Sequence, residues 1–139
     1  MSYQFFHLLL HTSKITKDTG FRELLSIGIN PGQAWLLDVV ARFGPIKQAD
    51  AAAVLNVRLP AVSRMAKGME QNSLLIRRRS KDDDRVVFLS LTPEGERLIP
   101  EIRESWSRVE EQMMHGFSER ERSTLKKLLV RAAGNLVEQ

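Results

Sequence analysis

Residues 74–93, LLIRRRSKDDDRVVFLSLTP, decide how the chain is read. Val87, Leu89 and Leu91 alternate with Phe88 and Ser90, the period of two expected of a half-buried strand. A strand over about 86–91 and another over about 74–78 then flank a charged turn at Ser80–Asp84. Just upstream, residues 46–73 read as two short helices. The first, over about 47–55, carries Ala49, Ala51, Ala52 and Ala53, so a neighbouring helix can approach closely. Asn56-Val57-Arg58-Leu59 is a turn. The second helix runs from about Pro60 to Asn72, with Val62, Met65 and Met69 at spacings of three and four on its inner side. Ser63, Arg64 and Lys67 fall on the outer side. The expected architecture is mainly α with a small antiparallel β-hairpin wing: a winged helix-turn-helix.

The flanks are helical. Residues 3 to about 27 supply Phe5, Phe6, Leu8, Leu9, Leu10, Ile15, Phe21, Leu24, Leu25 and Ile27, a density beyond what a surface helix needs. Gly20 is a point where this helix can kink. Asn30-Pro31-Gly32-Gln33 is a start signal with a cap, proline at the first position and the glutamine of a capping box. That helix runs to about Phe43 with Trp35, Leu36, Val39 and Val40 inward, and Gly44-Pro45 stops it. Thr92-Pro93-Glu94 opens a long helix with a stripe at Leu98, Ile102, Trp106, Val109, Met113 and Phe117. Ser118 and Glu121 form a second capping box. It opens a last helix with its stripe at Leu125, Leu128, Leu129, Ala132, Ala133, Leu136 and Val137. About six helices result.

With 139 residues, 42% hydrophobic and 27% charged, the chain fits one ordinary soluble domain. It contains no cysteine, which excludes disulfides, thiolate metal sites and thiol redox sensing. No run can span a bilayer, and the start Met1-Ser2-Tyr3-Gln4 lacks the basic opening of a signal peptide. A cytoplasmic location and no membrane partner are expected. There is no Gly-rich phosphate loop, H-E-x-x-H or nucleophile elbow, so no enzyme is expected, and no cofactor.

The formal charge is +4 and the pI about 9.8. Between Val57 and Arg85 lie eight cations and four acids, a local excess of +4 that equals the charge of the whole chain. Cations concentrated on a reading surface gain by releasing counterions from phosphates, so double-stranded DNA is the expected partner. Arg64 can donate two hydrogen bonds to a guanine edge, or grip a phosphate; both roles stay open. Ser63 can serve either. The acids Asp82, Asp83 and Asp84 repel phosphate. However, an aspartate that braces the Arg85 guanidinium through paired hydrogen bonds would preset it for a narrow minor groove. The other reading is an acidic tip pointing at water.

These residues resemble the MarR family of bacterial regulators over nearly the whole chain. The resemblance rests on the Gly44-Pro45 stop, on PAVSRM at residues 60–65, on a wing of the D-x-R type at 83–85, and on LSLTPEG at 89–95. It implies a homodimer built from the first and last helices, with two winged lobes on a palindromic site. The dimerisation region would be about 1–30 and 93–139, and the DNA-binding lobe about 31–92, in a single unit over 1–139. Arg85 matches the wing arginine and Asp83 its support. Pro60, Ala61, Val62, Ser63 and Arg64 match the recognition helix. Three departures stand out. Asp84 lies where many members have a second base, and Arg58 and Lys47 lie near positions often held by capping Asp, Ser or Thr. The full DNA-contact set is Arg58, Pro60, Ala61, Ser63, Arg64, Lys67, Arg77, Arg79, Lys81, Asp83 and Arg85.

The resemblance also implies release by a small aromatic or anionic effector, bound between dimer helices and lobe. Candidates are His7 and His11, one turn apart, with Trp35, Arg103 and Trp106. Both tryptophans lie in apolar stripes, which favours core over ligand wall. The His pair has metal-ligand spacing, but only His115 remains as a third histidine, and no metal is assigned. Transcriptional repression through DNA is therefore the leading reading. The rival is a winged-helix protein-protein interaction module without DNA binding.

Overall fold

The computed structural model describes residues 2–137, with side chains from Gln4 onward; Met1, Glu138 and Gln139, the ends of the regions assigned above, lie outside them. The described residues form six helices and three short strands. In order these are α1 (Ser2–Leu24), α2 (Pro31–Phe43), β1 (Ile46–Lys47), α3 (Gln48–Leu55), α4 (Leu59–Gln71), β2 (Leu75–Arg79), β3 (Val87–Leu91), α5 (Pro93–Met113) and α6 (Glu119–Val137). The strands form one antiparallel sheet in the order β1–β3–β2.

Local signals explain most boundaries. Asn30 Oδ1 accepts from Gln33 N at 2.8 Å, and Asn30 N donates to Gln33 Oε1 at 3.1 Å, closing the box that starts α2. Thr92 Oγ1 accepts from Gly95 N at 3.0 Å and donates to the Ser73 carbonyl at 2.6 Å, so one hydroxyl both caps α5 and ties it to the end of the reading helix. α1 runs straight through buried Gly20 and ends at Leu24, short of the expected 27. Gly28, at φ 82°, donates to the Leu24 carbonyl and turns the chain out of the helix. α5 likewise stops at Met113, before a positive-φ Gly116, so Phe117 lies beyond it.

The core gathers on α2, whose Leu36 and Leu37 belong to one buried cluster with Leu24, Val62, Met69, Leu75, Leu89 and Ile102. Trp35 corrects the sequence reading. It is 51% exposed, not inward. Ala34, Leu36, Leu37, Asp38, Val39 and Val40 are buried around most of the helix, and the open strip holds Trp35 and, two turns on, Arg42. On α5, Ile99, Ile102, Ser105 and Val109 are buried, with Leu98 and Trp106 half-buried at the edge of the stripe. Asp38 is 6% exposed, and its carboxylate accepts from Arg42 Nε at 2.7 Å and Arg103 Nε at 3.0 Å. A buried carboxylate is tolerated because it is paired twice, and the pairing fastens α2 to α5.

β1 is the element absent from the sequence reading. Two residues carry no periodicity, and Ile46–Lys47 becomes a strand because β3 offers its free edge, pairing Ile46 with Leu89 and Lys47 with Phe88. Lys47 then serves as the N-cap of α3 without a side-chain cap bond. Lys47→Thr is expected to stabilise the fold by about 1 kcal/mol, read as a higher thermal midpoint.

At the α5–α6 corner, Ser118 N donates to Glu121 Oε1 and Glu121 N donates to Ser118 Oγ, the second capping box. Arg122 Nη1 donates to Glu111 Oε1 at 2.9 Å. That bond, with the charge of Arg122, holds the Glu111 carboxyl below its ordinary 4.5. A depressed carboxyl stabilises above its unfolded value and loses that contribution as pH falls through the folded one. Protection of the amides at the start of α6, taken against the intrinsic rate at each pH, is therefore expected to fall below about pH 4.5, and to lose that pH dependence in Glu111→Gln. α6 itself has no buried residue; Leu128, Leu129, Val130, Leu136 and Val137 are all exposed. The first half of α1 is similarly bare, at Phe5, Phe6, Leu8, Leu9 and Leu10.

Candidate nucleic-acid interface

The reading helix α4 divides cleanly. Val62, Ala66 and Met69 are buried, at the spacings that seat one face on the core. Pro60, Arg64 and Lys67 are exposed, and Ala61, Ser63 and Met65 are half-buried. The cations of α4 therefore face solvent because the methionine and alanine face does not.

Arg58 is the N-cap of α4 and, like Lys47, makes no side-chain cap bond. A cation is unfavourable beside the positive end of a helix, and its presence there suits contact with an anion. Arg58→Ser is expected to do two opposite things. The hydroxyl caps the helix and adds about 1 kcal/mol of stability. The lost cation lowers DNA affinity and reduces the salt slope by about one per protomer. Thermal melting and a salt-dependent binding titration read the two arms separately.

In the wing, β2 and β3 pair from Leu75–Leu91 to Arg79–Val87. Ser80 N donates to the Val86 carbonyl at 2.8 Å and closes the tip. Asp83 does hold Arg85, by a geometry unlike the expected fork. One oxygen, Asp83 Oδ1, accepts from both Arg85 N at 3.0 Å and Arg85 Nε at 3.3 Å. The carboxylate thus bends the backbone of the turn and restrains the side chain together, leaving Arg85 91% exposed. Asp82 and Asp84 are exposed; the carbonyl of Asp84 accepts from Arg79 Nη1 at 3.3 Å, so Arg79 stiffens the tip. Lys81 and Arg78 are exposed. Arg77 is placed differently. Its side chain is only 19% exposed and is turned onto the helices, where Nε donates to Gln48 Oε1 at 3.3 Å and Nη1 lies 3.7 Å from Glu70 Oε1. Strand alternation carries the signal: Arg77 sits two residues from buried Leu75 and so shares its face. Gln48 and Glu70 were not singled out in the sequence, because nothing local connects them to residue 77.

The effector candidates lie on α1, α2 and α5. His7 and His11 stack with ring centroids 6.4 Å apart on the exposed part of α1. Arg103 is engaged by Asp38, Trp106 is half-buried one turn along α5, and Trp35 lies on the open strip of α2. A cleft of about 570 Å³ lies elsewhere, between the α1–α2 connection, the end of α4 and the start of α5; Ile29, Asn72, Leu74 and Arg97 are among its walls. Among the described residues, no group of three or more His, Asp or Glu is set to hold a metal ion. None of their helices is long and apolar enough to cross a membrane.

A helix-turn-helix with exposed cations on its second helix, backed by a hairpin that holds out an arginine, defines a winged helix-turn-helix protein. A sequence profile described as the MarR family matches residues 27–86. The chain is 26% identical over 129 residues to the uncharacterized HTH-type transcriptional regulator YdgJ of Bacillus subtilis (strain 168), covering 93% of this chain and 79% of that one. It is 35% identical over 75 residues to the HTH-type transcriptional repressor MdtR of the same organism, covering 54% and 48% of the two chains. Its fold matches that of MepR in a crystal structure of the S. aureus MepR–DNA complex, with a TM-score of 0.84, 22% identity, and 93% and 96% of the two chains covered. Over residues 27–86 the chain thus resembles the MarR family, and YdgJ and MdtR are both HTH-type transcriptional regulators.

Proposed function

We propose that the protein is a cytoplasmic homodimeric repressor that binds a palindromic operator and leaves it when a small aromatic or anionic effector binds. The observation that carries the DNA part is the exposed cation set on two different elements. Arg64 and Lys67 stand clear of the buried face of α4, while Asp83 restrains an Arg85 that nothing covers. A helix of this kind reads the major groove, and a restrained arginine suits the narrow minor groove beside it. Arg58, Ser63, Arg79 and Lys81 add contacts to phosphate or base, Pro60 and Ala61 allow close approach at the helix start, and Lys67 supplies charge.

The bare apolar sides of α1 and α6 support the dimer, with residues 1–30 and 93–139 forming its body and 31–92 each lobe. MdtR is a repressor and MepR was crystallised with DNA, which supports repression and a DNA partner. The effector is sought around Trp35, Arg103 and Trp106, on the two helices that Asp38 joins, and at His7 and His11. A ligand there would compete with the Asp38–Arg103 bond and so act on the α2–α5 angle.

Selection of bound sites from random duplex DNA by the purified protein tests this reading. The expected product is a palindrome whose half-sites are centred about 10 base pairs, or a multiple of that, apart. Recovery of unenriched sequence would count against operator binding and leave the protein-interaction rival standing.

A further inference from the structure

We propose that Arg77 is a positioning residue that sets the angle between the wing and the reading helix, and not a contact to DNA. The inference rests on the DNA-binding reading above.

Three elements converge on this one side chain. Arg77 lies on β2, on the face that carries buried Leu75. Its Nε donates to Gln48 Oε1 in the first turn of α3, and Gln48 is itself buried. Its Nη1 faces Glu70 Oε1 in the last turn of α4 at 3.7 Å, and its backbone N–H donates to the other oxygen, Glu70 Oε2, at 3.3 Å. Glu70 thus holds β2 by main chain and side chain at once. Buried Leu75 and Met69 share the core that joins β2 to α4, and the Arg77–Glu70 contacts add a polar tie further out along the strand. Fixing that angle before DNA arrives removes an ordering cost from binding. Arginine suits the position because a rigid fork can bond a neutral amide and a carboxylate in different directions, which a single ammonium on a flexible stem does less well.

Charge counting and this arrangement make opposite predictions. Glu70 is an acid on a DNA-binding lobe, and alanine is the better helix former. On electrostatics alone, Glu70→Ala should tighten binding. As part of the clamp, Glu70→Ala weakens it, by about three- to tenfold, with the salt slope unchanged. Arg77→Lys keeps the charge and is expected to weaken binding about as much as Arg77→Gln, again at constant slope.

The experiment is a salt titration of duplex affinity for the full-length wild type, Glu70→Ala, Arg77→Lys and Arg77→Gln. It is joined to amide exchange of the wing in the free proteins. Exchange at Arg77 and along β2 and β3 should speed up in Glu70→Ala while the core amides of α2 stay protected. Lysine restoring wild-type affinity, a slope lower by about one in Arg77→Gln, or tighter binding by Glu70→Ala would each overturn the clamp. Unchanged wing exchange in Glu70→Ala would overturn it whether or not DNA binds. If wild type binds no duplex yet wing exchange rises in Glu70→Ala, the DNA-binding reading fails and the clamp stands.

Discussion

Leu129→Glu is expected to yield a monomer that has lost about a hundredfold or more of its affinity for a palindromic duplex. Leu129 is exposed on α6, a helix with no buried residue, alongside Leu128, Val130 and Leu136. Apolar surface of that extent on two terminal helices is not stable against water and calls for a partner. The proposed twofold pair would bury it and also place two lobes on two half-sites, so the second lobe would bind at a high effective concentration. A carboxylate at residue 129 would have to be desolvated at that contact, which breaks the pair. The lobe should survive the change, because its core draws on α2, α4, β2, β3 and α5 and takes nothing from α6. Light scattering should report the mass of one chain, with helical circular dichroism retained. A dimer of undiminished affinity would show that α6 is not the contact.

Arg85→Ala should cost about 1–3 kcal/mol of DNA affinity per wing and lower the salt slope. The more discriminating substitution is Asp83→Ala. It removes a negative charge from a surface proposed to meet phosphate, so simple Coulomb reasoning predicts tighter binding. Asp83 Oδ1, however, accepts from both the backbone N–H and the Nε of Arg85. Its loss frees a side chain that is otherwise 91% exposed and must then be ordered at the DNA. Weaker binding by Asp83→Ala, with Arg85 still present, is the expected result. Tighter binding would mean that the acidic tip only repels. The double variant should be no worse than Arg85→Ala alone, since the brace acts through the arginine it holds.

The features legible in the sequence are those carried by neighbours in the chain. Asn30 with Gln33, Thr92 before Pro93, and Ser118 with Glu121 mark helix starts within four residues; the two boxes close as their spacing implies, and Thr92 Oγ1 accepts from Gly95 N. Val62 and Met69, seven apart, mark the buried face of α4 in the same way. What escaped depends on partners far along the chain. Ile46–Lys47 is a strand only because Leu89 and Phe88 lie beside it. Asp38 carries no sign of burial in the sequence, and it is a buried anchor because Arg103 arrives from α5 to join Arg42 on its carboxylate. Arg77 was one cation among eight until Gln48, 29 residues away, received it. The sequence reading puts Trp35 inward with Leu36, Val39 and Val40, whereas on α2 the smaller Ala34, Leu36 and Leu37 fill the core and leave the tryptophan outside.

The affinity of the wild-type protein for its selected duplex, measured against salt with the stoichiometry fixed in the same titration, tests the account most directly. Two chains per duplex are expected, with log affinity falling against log salt at a slope of about −5 or steeper, as six or more phosphates are neutralised. One chain per duplex, or an affinity indifferent to salt, would contradict it.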